Sequence, residues 1–365
     1  MFVSVSARRV VLALLASALG LVALAGCGSS SSASAPSSSG SAAKPAGAAS
    51  SHPGATPLVV YAAEGYDQAM VTAFQKATGI PTTLYDDHTG IVLAKIQAEQ
   101  NNPHWGVVWV DGSIAMTLLD QQGLLAHGLT PPPGLDAAGN ALLPRDRSYV
   151  PFGVTVSALP FFDSAKLAAP KSWQDLLSPR FRGKVGMLNP ALDGPAYPWI
   201  AGLAQQFGGV AAGERYLSRL RANGATVFPG PKELLRALQS GQIQVMLAQS
   251  AYGIGVGKTS PSIKAAYIPE LAPVPSVIAV DRSAPAAEQA EARRFIDFVA
   301  SPAGQRVMLT GDPAGDSLFW PLISGTVTPA GLPSYATLPT KALDPSVWAP
   351  RQSSYVAWFS ANVAR

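Results

Sequence analysis

From residue 58 onward, short apolar runs alternate with longer stretches in which apolar residues recur at helical spacing. LVVYA (58–62) predicts a buried strand, because a short continuous apolar run suits a strand covered on both faces. YDQAMVTAFQKATG (66–79) predicts a helix with Ala69, Val71, Phe74 and Ala77 on its apolar side and Gly79 as its stop. PTTLYD (81–86) is the second strand, TGIVLAKIQAEQN (89–101) the second helix with Ile91, Leu93, Ala94 and Ile96 inward, and GVVWV (106–110) the third strand. SIAMTLLDQQG (113–123) closes the series as a helix ended by glycine. Strand and helix in regular alternation predict parallel strands covered by helices.

A Pro- and Gly-rich loop (128–147) interrupts the pattern. VPFGVTVSALPFFD (150–163) is too long for one ordinary strand and reads as a crossing to a second lobe. There the alternation resumes, with strands at 184–188 and 243–248 and helices at 195–208, 211–224 and 232–241. PSVIAV (275–280) reads as the return crossing, and AAEQAEARRFIDFVAS (286–301) as a helix with the stripe Ala292, Phe295, Ile296 and Val299. The expected architecture is α/β, two hinged lobes each holding a mostly parallel sheet flanked by helices. Lobe 1 is assigned to 58–155 and 270–322, lobe 2 to 156–269 and 323–365, with hinges at 150–158 and 274–280.

The N-terminal 57 residues follow neither period. Arg8 and Arg9 precede the uncharged run VVLALLASALGLVALAG, the form of a secretory leader over 1–26. Cys27, the one cysteine in the chain, follows Leu24-Ala25-Gly26, which resembles the lipobox of bacterial lipoproteins. That resemblance implies acylation of Cys27, and each buried methylene of an acyl chain adds about 0.8 kcal/mol of anchoring. Residues 27–57, rich in Ser, Ala, Gly and Pro, have nothing to bury and read as a tether. Setting aside Arg8, Arg9 and Lys44 leaves 23 basic against 22 acidic residues, so most of the net charge of +4 belongs to the leader and tether and the near-neutral body argues against a nucleic-acid surface.

VVYAAEGYDQAMVTAFQKATGI and AKIQAEQNNPHWGVVWVDGSIAMTLLDQQGLL resemble the opening of extracellular solute-binding proteins of ABC importers. SWQDLLSPRFRGKVGMLNP and EARRFIDFVASPAGQRVM are similar to two later segments of that family, and the likeness runs in order through 58–322. It is greatest to the subgroup of ferric-iron and 2-aminoethylphosphonate receptors. The resemblance implies a type II periplasmic-binding fold, a small-molecule or ion ligand held between the lobes, and delivery to a membrane permease with its ATPase. It also implies a monomer at the extracytoplasmic face, in the periplasm or lipid-anchored to a bacterial membrane, without a cofactor.

In open α/β sheets ligands bind beyond the carboxyl ends of the strands. This directs attention to Glu64 and Tyr66 after the first strand, Asp87, His88 and Thr89 after the second, and Asp111 after the third. Asp87 or Thr89, and Asp111 or Ser113, read equally as caps of the helices that follow. The second lobe offers Asn189 in NPALDGPA and Ser250 and Tyr252 in QSAY. In ferric receptors a tyrosine pair stands at this place and Asp111 matches an acidic ligand. Here the pair is Ala251-Tyr252, so Asp111 and Tyr252 are metal ligands only if iron is the cargo, and Tyr252 otherwise donates a hydrogen bond or forms an aromatic wall. An amine or phosphonate solute, held by Glu64 and Asp111 opposite Asn189, Ser250 and Tyr252, fits these residue types better. The loop 311–317, with Asp312 and Asp316, either lines the cleft or braces the lobes.

Several patterns lead elsewhere and fail. GIGVGKTS (253–260) lacks the glycine that a phosphate-binding loop needs at Tyr252. The histidines show no metalloprotease spacing, and His104 and His127 read as surface residues. An exported hydrolase using Asp86, Asp87 and Asp111 as acid and base is the competing reading, and a sensor lipoprotein a third. No nucleophile–base pair assembles from the sequence, so the chain reads as a receptor, not an enzyme.

Overall fold

The computed structural model describes residues 55–312 and 317–365. The leader, Cys27 and most of the tether lie outside them. Strand β1 (Leu58–Ala62), helix α1 (Asp67–Thr78), β2 (Thr82–Asp86), α2 (Thr89–Ala98), β3 (Val107–Asp111) and α3 (Ser113–Gln121) follow the predicted alternation. Then come α4 (Ala137–Ala141), β4 (Val150–Val156) and β5 (Leu159–Asp163). The extended segment 150–163 is therefore two strands, and Ser157-Ala158 between them is the crossing.

The second unit runs β6 (Val185–Leu188), α5 (Ala196–Phe207), α6 (Val210–Ala222), β7 (Thr226–Phe228), α7 (Pro231–Ser240), β8 (Val245–Ala248), α8 (Ser250–Thr259) and β9 (Ile263–Ala265). The chain returns through β10 (Pro273–Val280), α9 (Ala286–Ala300), α10 (Pro302–Thr310) and β11 (Trp320–Pro321), then ends in α11 (Pro345–Trp348) and α12 (Gln352–Asn362). GIGVGKTS thus lies mostly within α8.

Two sheets result, in the orders β11-β4-β10-β3-β1-β2 and β7-β6-β8-β5-β9. Each has three parallel strands, β2-β1-β3 and β7-β6-β8, flanked by antiparallel partners. Antiparallel strands carry the chain between sheets: it leaves the first from β4 into β5 of the second, and comes back from β9 to β10. Three connections join the lobes, at 157–158, between β9 and β10, and after β11. Backbone and side chain brace them: Ser157 N donates to Ala272 O (2.9 Å), and Val156 N to Ser250 Oγ (2.9 Å).

Alternation along the strands sorts the first lobe's core. Val60, Ala62, Val107 and Trp109 face α1 and α9, while Tyr61, Val108 and Val110 face α2 and α3. The α9 stripe is buried as predicted. Two helices are rotated from expectation: α1 buries Met70 rather than Ala69, and α2 buries Val92 while Ile91 is exposed. Apolar residues lie on nearly every side of α2, so its sequence pattern does not select a face, and Val92 with Ile96 packs where Ile91 was expected. The second core gathers Phe161, Phe181, Trp199 and Leu217 and receives Trp348, Tyr355 and Phe359 from the C-terminal helices.

Candidate functional site

The carboxyl ends of β1, β2 and β3 open onto a cavity of about 500 Å³, closed on its far side by the 193–195 turn, the start of α7 and Tyr252. Its lining carries seven carboxyl side chains: Glu64, Asp67, Asp86, Asp87, Asp111, Asp193 and Asp312. Against them stand Lys232 and His88. A larger hollow of about 760 Å³, under α9 and α10, lies away from the strand ends and brings together no such set.

Glu64 is positioned from behind. Its Oε1 accepts from Ser276 Oγ (2.8 Å), which itself accepts from the Trp109 indole N–H (2.8 Å). Asp111 is held from the other lobe, for Gln249 Nε2 donates to Asp111 Oδ2 (2.6 Å) and to Thr155 Oγ1 (2.8 Å). Gln249 ends the approach to α8 and bridges both sheets at the cleft floor, yet its sequence signal is no more than its place before Ser250. Asp87 Oδ1 accepts from His88 N (2.7 Å) and caps neither helix; α2 and α3 have no side-chain cap. Asp193 Oδ1 accepts from Ala196 N (3.0 Å), and burial pushes its carboxyl up to about 7.

Of the residues the sequence singled out, Glu64, Asp87, His88, Thr89, Asp111 and Tyr252 line the cavity. Three do not. Tyr66 is buried against Trp109 and Phe319, its ring edge-on to both, because residue 66 stands just before α1 and turns into the core. Ser250 is buried with its hydroxyl committed to Val156 N. Asn189 is spent on its own turn, accepting from Ala191 N (3.0 Å). Tyr252 lines the cavity and donates to Pro231 O (3.1 Å). Asp312 lines the cleft, so that end of the 311–317 loop reaches the site; 313–316 lie outside the described residues. Sequence reading missed Asp67 and Lys232, and it offered the stretches NPALDGPA and QSAY without singling out Asp193 or Gln249 within them. Asp67 begins α1 in a cleft-facing position, a signal available from the strand-end rule.

The lobes touch across the cleft. Gly90 N donates to Leu192 O (3.2 Å), a methyl at Gly90 would lie 2.4 Å from Ala191 O, and one at Gly194 would lie 2.4 Å from Thr89 Oγ1. Away from the cleft, His127 pairs with Asp120 (2.7 Å) and stands 3.9 Å from Asp146, an exposed cluster rather than an isolated surface histidine.

Residues 58–309 match the family model of the bacterial extracellular solute-binding proteins. The chain belongs to that family. A Salmonella typhimurium protein, named as a candidate 2-aminoethylphosphonate-binding periplasmic protein, is 25% identical over 309 residues, covering 82% of this chain and 86% of that one. The periplasmic binding protein P5PA superposes with a TM-score of 0.73 at 16% identity, covering 84% of this chain and 99% of its own. Iron-bound HitA of Pseudomonas aeruginosa gives 0.68 at 21% identity (82% and 98%). AfuA of Actinobacillus pleuropneumoniae, with fructose-6-phosphate bound, gives 0.72 at 18% (84% and 98%). These likenesses place the fold among type II periplasmic binding proteins. The chain is a solute-binding protein for ABC import, and the cavity at its strand ends lies where such a fold holds its solute.

Proposed function

We propose that this protein captures a small solute bearing a positive amine between its lobes and delivers it to an ABC permease, without turning it over. The observation that carries the reading is the cavity lining, with seven carboxyl groups against one lysine and one histidine. Such a surface repels anions and attracts cations. The relative named for 2-aminoethylphosphonate supports a solute with an ammonium at one end. The N-terminus of α3, which has no side-chain cap, then offers backbone N–H groups to a phosphonate at the other. Ferric ion fits less well: Ala251 is buried where a second phenol would be needed, and the Tyr252 hydroxyl is bonded to a carbonyl.

A panel of 2-aminoethylphosphonate, polyamines and ferric citrate tests this by melting temperature, visible absorbance and solution scattering. A true ligand at about 100 times its Kd adds roughly 2.7 kcal/mol of stability, and it should reduce the radius of gyration as the lobes close. A tyrosinate-to-iron band that disappears in Tyr252→Phe would restore iron as the cargo. Tight binding without compaction would contradict the clamp.

Anchoring is part of the proposal. Cys27 follows Leu-Ala-Gly after the apolar run, and the tether that follows spaces the body from a membrane. Cys27→Ser is expected to move the protein from the membrane to the soluble fraction, or to block its processing. Equal fatty-acid labelling of mutant and wild type would refute acylation at this residue.

A further inference from the structure

Away from the cleft, three side chains from separate segments of the first lobe bring their donor atoms to one place. Asp120 stands near the end of α3, His127 in the stretch that follows it, and Asp146 at the far end of the 128–147 loop. His127 Nε2 lies 2.7 Å from Asp120 Oδ1 and 3.9 Å from Asp146 Oδ2, and all three donor atoms fall within 4.8 Å of one another. Among the described residues this is the one set of three metal-ligating groups that converges so. The backbone on either side is pinned. Ala126 N donates to Val280 O (2.8 Å), Gly128 N to Asp146 O (2.9 Å) and Leu129 N to Arg147 O (3.0 Å), which clamps the His127 flank to the Asp146 flank. Asp146 Oδ1 accepts from Ser148 N (3.1 Å), so Oδ2 is the oxygen turned toward the imidazole.

We propose that Asp120, His127 and Asp146 form a binding site for a divalent transition-metal ion of the Zn2+ type, which fastens the 128–147 loop to α3. The dimensions suit such an ion. Zn2+ binds nitrogen and carboxylate oxygen at about 2.0–2.2 Å, which sets neighbouring ligand atoms of a tetrahedron roughly 3.4 Å apart. The two measured separations, 2.7 and 3.9 Å, straddle that value, so side-chain shifts of roughly 0.5–0.7 Å close the shell. Charge points the same way. Two carboxylates approach one ring nitrogen, and no lysine or arginine ion-pairs with either among the described residues. A ring nitrogen 2.7 Å from a carboxylate oxygen needs a hydrogen or a metal ion between them. A hydrogen there serves one carboxylate, whereas a divalent ion serves both and offsets their two negative charges. The imidazole sets the class of metal, because Ca2+ and Mg2+ prefer shells of oxygen alone. His127 and Asp146 are exposed, and both carboxylates line a hollow of about 420 Å³ beside α3, so water has room to complete the coordination. The site is independent of what the cleft carries.

The test strips the full-length protein with EDTA and titrates it with zinc chloride by calorimetry, beside His127→Ala, Asp146→Asn and the control His104→Ala. Wild type and His104→Ala are expected to bind Zn2+ alike. Loss of a partner that merely supports a metal ligand costs about 10- to 100-fold in affinity, so His127→Ala, which removes a ligand itself, should lose at least as much. Co2+ gives a second readout: wild type should develop visible absorption bands that His127→Ala lacks. A third readout follows the loop. Arg145 and Arg147 are exposed, and trypsin should cut after them more slowly once Zn2+ is added to wild type, with no such slowing in His127→Ala. His127 is exposed, so its truncation should leave the melting temperature in EDTA unchanged. Should it not, Asp146→Asn, a replacement of nearly the same shape at another exposed position, carries the comparison. No Zn2+ uptake by wild type, equal affinity in His127→Ala, or Ca2+ or Mg2+ binding as tight as Zn2+ would each overturn the site. Zn2+ uptake with unaltered trypsin cleavage would overturn the fastening of the loop.

Discussion

Replacing Trp109 by alanine is expected to lower the free energy of unfolding by about 3–5 kcal/mol and to weaken ligand capture in the same variant. Trp109 is fully buried in β3, edge-on to Tyr66 (5.2 Å) and Phe295 (5.8 Å). Removing the indole leaves a large void in a core that packs α1 and α9 against the first sheet. The second effect travels through one hydrogen-bond chain. Without the indole N–H, Ser276 Oγ loses the donor opposite Glu64, and the Glu64 carboxylate loses its fixed orientation at the cleft. Trp109→Phe separates the two effects, because it keeps most of the packing and drops the N–H. It should cost less stability than alanine yet still weaken binding. Urea denaturation and ligand titration of both variants check this. A Trp109→Ala protein within 1 kcal/mol of wild type would mean that the core relaxes around the void.

Gly90→Ala is expected to act in the opposite way on the two quantities. Gly90 stands in the first turn of α2, where alanine stabilises a helix by up to about 1 kcal/mol over glycine. The added methyl would meet the Ala191 carbonyl of the other lobe at 2.4 Å, a backbone atom that has no rotamer to move to. The clash exists only while the lobes touch. If overpacking costs the closed form 1–3 kcal/mol, affinity falls roughly 5- to 150-fold, while the melting temperature of the ligand-free protein stays level or rises. Gly194→Ala should weaken closure as well, because its methyl meets Thr89 Oγ1 at 2.4 Å and Thr89 Cβ at 2.9 Å, and side-chain rotation moves the first but not the second. Scattering profiles should show Gly90→Ala remaining open at ligand concentrations that close the wild type. Undiminished affinity in Gly90→Ala would show that ligand capture does not require this contact.

Much of the fold was legible because its signals are local. The runs at 58–62 and 106–110 and the glycines at 79 and 123 mark strand and helix ends without reference to anything distant. Helix faces were less legible: Ile91 and Val92 are adjacent and equally apolar, so which one turns inward is decided by packing. The strand-end rule found Glu64, Asp87 and Asp111 in the cleft, but it also offered Tyr66 and Ser250. A residue that begins a helix faces either the cleft or the core depending on one turn of backbone. Asp67, one position after Tyr66, is the residue that faces the cleft. Gln249 lay within the QSAY stretch, but its bridging role was not legible there, since it depends on Asp111 and Thr155 meeting it across the hinge.

The charge of the cleft also bears on the rate of encounter. A body with nearly balanced charge concentrates seven carboxyl groups in one concave opening. Low-dielectric walls focus the field of such a cleft outward, and at physiological salt it reaches on the order of 8 Å before ions screen it. A cation drifting past is drawn in, while an anion of the same size is turned away before it touches a side chain. Discrimination between solutes therefore begins during diffusion, and it fades as ionic strength rises, even where every contact in the closed complex is unchanged.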